Sequence, residues 1–123
     1  MESQHSVTDT ADKFSQLVED KGLRLFTRID HAANAAGVDL QLKPTEVILF
    51  GNPKVGTQLM HCAPTVAIDL PQRVLIWEAD DGTVWLAYSN PAFIQELHSI
   101  EGCDSIIGKV TALLAGLAAA ATE

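Results

Sequence analysis

The sequence predicts an α+β fold: a single domain over residues 1–123, with its core at about 8–120. A single mixed β-sheet of about four strands carries flanking helices, including a long C-terminal helix. Three observations carry this reading. Runs of alternating or continuous apolar residues fall at 23–29, 45–50, 72–79 and 83–88, each of strand length. The runs ending at Phe50 and Tyr88 both break at an Asn-Pro pair, which starts a helix well because Asn caps it and Pro needs no N–H donor at the first position. The stripe Ile106, Ile107, Val110, Leu113, Leu114 and Leu117 then repeats at helical spacing near the chain end.

Taken in order, Ala11, Phe14, Leu17 and Val18 predict a helix over 8–21, capped by Thr8 or Asp9 and closed by Gly22. Strand 23–29 follows, with Leu23, Leu25, Thr27 and Ile29 on one face and Arg24, Phe26 and Arg28 on the other. Asp30 caps a short Ala-rich helix, 31–36, that ends at Gly37. After a connection at 38–43 come the strand 45–50 and a helix 53–62 capped by Asn52 and stopped by Pro64. Residues 65–71 form a turn or short helix. Asp80-Asp81-Gly82 is a tight turn between the strands at 72–79 and 83–88, which carry Trp77 and Trp85. Helix 91–98 follows Asn90, and Asp104 or Ser105 caps the last helix.

Composition narrows the function classes. A net charge of -8 repels phosphate backbones and anionic lipid, so neither nucleic acid nor membrane is an expected partner. The polar start lacks the basic-then-apolar pattern of a signal peptide, and Ile106 to Ala121, interrupted by Lys109, reads as a packed helix shorter than a bilayer span. Cytoplasmic localisation is the expectation. Cys62 and Cys103 show no CxxC spacing, so they read as buried free thiols.

The richest segment for chemistry is Gly51 to Thr57. Its spacing approaches a phosphate loop, but no Lys follows Gly56, which excludes nucleoside triphosphate hydrolysis. What remains is an anion or carboxylate site at a helix start, using Gly51, Asn52, Lys54, Gly56 and Thr57. If the strands ending at Phe50 and Tyr88 run in the same direction, both Asn-Pro turns share one edge of the sheet. Asp30-His31 offers a carboxylate beside an imidazole, although Asp30 has a simpler role as a cap. His31, His61, Cys62, His98 and Cys103 lack zinc-ligand spacing, and no metal or other cofactor is expected.

With these residues laid out, the chain resembles the bacterial domain of unknown function 302 (DUF302) family. The matching segments are Phe26 to His31, Pro44 to Met60, Ala63-Pro64 through Ile68-Asp69-Leu70-Pro71, and Val74 to Pro91. The combination Ile-Asp-His, Phe-Gly-Asn-Pro and Ile-Asp-Leu-Pro is the specific part. Departures fall at His61 and at Gln72-Arg73, and the first makes His61 a poor shared ligand. The resemblance implies a small α+β fold, alone or joined to other modules, and a tendency to form homodimers. It implies no activity, catalytic residue or cofactor. The leading reading is a homodimeric module that binds a small anionic ligand at Gly51 to Thr57, with Arg28 and His31 nearby. The rivals are an enzyme using His31 as acid or base, towards which the sequence does not lean, and a protein–protein interaction module.

Overall fold

The computed structural model describes residues 1–123. Its elements are β1 (Glu2–Ser3), α1 (Val7–Asp20), β2 (Arg24–Asp30), α2 (His31–Ala36), β3 (Thr45–Gly51), α3 (Pro53–Cys62), a 3-10 turn (Pro64–Asp69), β4 (Gln72–Glu78), β5 (Val84–Tyr88), α4 (Pro91–Leu97) and α5 (Asp104–Thr122). The strands form one five-stranded sheet in the order β1-β5-β4-β3-β2, and every pairing is antiparallel, so the sheet is not the mixed one expected from sequence: each strand pairs with a neighbour running the opposite way. The sequence expectation of about four strands omitted β1. That strand is two polar-flanked residues pairing with Trp85 and Val84, so backbone bonds at a sheet edge create it and side-chain pattern cannot reveal it.

The period-two pattern of β3 buries Glu46, Ile48 and Phe50 on one face. Val74 and Ile76 of β4 and Val84 and Leu86 of β5 continue that face. Helices α1 and α5 cover it with Phe14, Val18, Leu114 and Leu117. Phe14 meets Phe50 edge to face, with centroids 5.0 Å apart and rings at 73°. The opposite face carries Val47, Leu49, Leu75, Ala87 and the directly paired Trp77 and Trp85, all half-buried or exposed.

The helix boundaries follow the local chemistry. Asp30, Asn52 and Asn90 cap as expected, each accepting an N–H of the following turn. Gly22, at φ +71°, closes α1, and Leu23 N–H reaches back to the Val18 carbonyl. Two expected caps differ. Ser6, rather than Thr8 or Asp9, caps α1 and accepts the Asp9 N–H. Cys103 stands at the cap of α5 without a side-chain bond, and Asp104 accepts from Gln95 instead.

The face assignment of β2 also changes. Leu25 pairs with Phe50 but Thr27 pairs with Leu49, so Phe26 is one extra residue in a β-bulge. Beyond the bulge, Thr27 and Ile29 point to the open face and Arg28 to the covered one. At 19 residues α5 is long and apolar enough to cross a membrane by length and composition, contrary to the shorter segment read from sequence. One side of it, including Val110, Leu114, Leu117 and Ala121, lies in the core.

Cys62 and Cys103 form a disulfide, which corrects their reading as free thiols. They are 41 residues apart in sequence, and only packing of the end of α3 against the start of α5 brings them together. Around the bond sits a second, smaller core of Leu59, Ala63, Val66, Ile100 and Ile107. Closing a loop of this length restrains the unfolded chain by roughly 3–4 kcal/mol on the entropy model. Cys62→Ser, or reduction by a dithiol, is expected to lower unfolding stability by about that amount, measured by chemical denaturation with and without reductant.

Candidate functional site

Strands β3 and β5 both run antiparallel to the β4 between them, so they point the same way. Their Asn-Pro turns therefore do lie on one edge of the sheet. The first, Asn52-Pro53, borders a cavity. That cavity, of about 490 Å³, is bounded by the end of β3, the start of β2, α3, the Leu70-Pro71 segment and α5. The Leu70–Pro71 peptide is cis. The buried floor is Phe50, Leu59, Val110 and Leu114, and Val55, Leu70, Ile106 and Leu113 raise apolar walls. Exposed Arg24, Asn52, Thr57, Gln58 and Lys109 lie at its rim.

The structure divides the residues grouped by the sequence reading. Gly51, Asn52, Gly56 and Thr57 line the cavity. A Cβ at Gly56 would stand 3.7 Å from Leu70 Cδ1, so absence of a side chain there leaves space between α3 and Leu70. The other polar groups of the segment are occupied: Asn52 Oδ1 accepts the Lys54 N–H at 3.0 Å, and the Thr57 hydroxyl donates to the Pro53 carbonyl at 2.7 Å. Lys54 is exposed and does not border the cavity.

Arg28 is elsewhere. The bulge turns it to the covered face, where its NH2 lies 2.8 Å from Glu46 Oε1 and its NH1 2.7 Å from Asp12 Oδ1. Partial burial opposes its charge, but the hydrogen bonds and charges of Asp12 and Glu46 outweigh this, and its pKa is raised. It ties α1 to β2 and β3. His31 is exposed at the start of α2, on the open face of the sheet near Ile29, Val47 and Leu75. Its ring makes no hydrogen bond within the chain, and Asp30 accepts the Ala33 N–H as the cap of α2. Arg28 and His31 thus lie apart from the cavity.

Sequence reading missed two groups. The first is the pair Arg24 and Lys109. In sequence Arg24 is simply one residue of a strand face; in the fold its guanidinium stands 5.6 Å from the centre of the bulged Phe26 ring. Lys109 is the lone cation in the apolar stripe of α5, and that interruption was the available signal. The second is a hydroxyl–imidazole–carboxylate chain: Thr65 Oγ1 lies 3.0 Å from His98 Nδ1, and His98 Nε2 lies 2.5 Å from Asp69 Oδ2. The order of groups suits a general base, but they do not line the cavity. The His98 side chain is 8% exposed and joins the 3-10 turn to the end of α4.

Two mutations test these assignments. His98→Ala removes the bonds to Thr65 and Asp69, leaves Asp69 only its longer pair with Arg73, and is expected to cost about 1–3 kcal/mol of unfolding stability. His31→Ala, at an exposed and unbonded site, is expected to leave the melting temperature within error.

The family profile of DUF302, described as a domain of unknown function, matches residues 1–121. Relatives named fluoride-specific ion channel FluC from Brucella suis biovar 1 (FluC 1) and Brucella melitensis biotype 1 (FluC 2) are each 44% identical over 100 residues, or 81% of this chain. The chain spans only 39% and 37% of those proteins. A solved structure of an uncharacterized conserved DUF302 protein from Bacillus stearothermophilus superposes with a TM-score of 0.87. That likeness covers 100% of this chain and 95% of the other at 12% identity, so it speaks to the fold alone. A family match along nearly the whole chain leads to one conclusion: this protein belongs to the DUF302 family.

Proposed function

We propose that this domain is a non-catalytic module that binds a small molecule in the cavity between the end of β3, α3 and α5. The cavity itself carries the reading. Its volume of about 490 Å³ falls within the usual range for small-molecule sites, and its apolar lining with a few polar groups has their usual make-up. Gly51, Asn52, Gly56 and Thr57 contribute as wall, with their polar atoms engaged in the helix. Lys54, Arg28 and His31 are not needed for this site.

A second copy of the chain is the natural cover for the open sheet face. Leu75 and Trp85 are each 36% exposed there, beside Val47, Leu49 and Trp77, and stacking two such faces would bury both tryptophan pairs. The Brucella relatives carry the matching segment within longer chains, which favours an attachable module. Their channel activity is not assigned to this domain. The disulfide favours a compartment that keeps thiols oxidised over the cytoplasm expected from sequence.

Gly56→Leu places a side chain toward Leu70 and is expected to abolish binding of an environment-sensitive apolar dye while preserving the circular dichroism spectrum. Unchanged dye fluorescence in that variant would remove the cavity as the site. Leu75→Glu with Trp85→Glu is expected to convert a dimer to a monomer by light scattering. A wild-type protein that elutes as a monomer would end the dimer reading.

A further inference from the structure

We infer that the cavity is built for an anionic amphiphile: an apolar tail on the Phe50–Leu59–Leu114 floor and one anionic head between Arg24 and Lys109. This rests on the cavity being a ligand site and adds the class of ligand. Charge distribution carries the inference. The chain has 16 acidic residues against 8 Lys and Arg, yet two cations and no carboxylate line the cavity. With acids outnumbering bases two to one, the overall composition favours an acid at any one charged position of the opening.

Both cations are free to meet a ligand. The ion pairs of the fold use Arg28, Arg73 and His98, leaving Arg24 and Lys109 without a carboxylate partner. They approach from different elements, Arg24 from β2 and Lys109 from α5. The bulge at Phe26 contributes here. It places an extra aromatic ring at the rim, and the Arg24 guanidinium lies 5.6 Å from the ring centroid. A planar guanidinium and a flexible ammonium suit a carboxylate or phosphate head. An inorganic anion at the exposed rim would pair with the two cations and leave the apolar floor uncovered, so a ligand that uses both surfaces carries a tail as well as a head.

The test compares four probes of one tail length below their aggregation concentrations: decanoate, decyl phosphate, decanol and decylammonium. Binding to the oxidised full chain is read by calorimetry. At least one anion is expected to bind ten-fold or more tighter than decanol and decylammonium, and the ranking of the two anions identifies the head. Arg24→Gln combined with Lys109→Gln is expected to remove that preference while keeping decanol affinity within two-fold. If decanol binds as tightly as both anions, the ligand class is wrong and the cavity reading survives. If no probe binds, both fail. If the anion preference persists in the double variant, the head does not sit at these cations.

Discussion

The packing of Phe14 against Phe50 is the contact on which the rest of the molecule depends. Phe50 ends β3 on the covered face, and Phe14 brings α1 onto it with α5 alongside. Both side chains are almost fully buried, and each buried aromatic contributes roughly 1.5–3 kcal/mol from apolar area alone. One residue later the strand leaves the sheet at Gly51, so the same ring that seals the main core also floors the cavity. Main core and cavity share a wall, and this is why the cavity can be apolar without being a packing defect.

The cavity persists because α3 is held at a distance from the sheet. Its start is fixed by the Asn52 cap and its end by the Cys62–Cys103 disulfide and the smaller core around Leu59. Gly56 lies between these anchors, facing Leu70 with no side chain. Held at both ends and bare in the middle, α3 spans the space instead of collapsing into it. The disulfide thereby connects stability to the proposed function, since it joins two helices that both line the cavity.

The roles of polar residues depend more on distant contacts than those of apolar ones. Asn52, Asn90 and Asp30 were legible because a cap depends on its own next three residues. Arg28 and Arg24 look equivalent in a strand, and a single inserted residue at Phe26 sends them to opposite tasks. Arg28 holds Glu46 and Asp12, and Arg24 stands at the cavity rim. A bulge is invisible in a seven-residue apolar alternation, because it is decided by the register with β3. His98, Thr65 and Asp69 likewise meet only because the 3-10 turn packs beside α4.

The sequence by itself determined the family, the α+β class, the order of the helices, the core stripe of α5 and the two Asn-Pro turns. All of these are set by local periodicity, capping and turn chemistry, which act over a few residues. Tertiary structure alone decided the fifth strand, the bulge in β2, the pairing of Cys62 with Cys103 and the company that each charged side chain keeps. Those features depend on which distant segments lie side by side, and no short window of sequence carries that information.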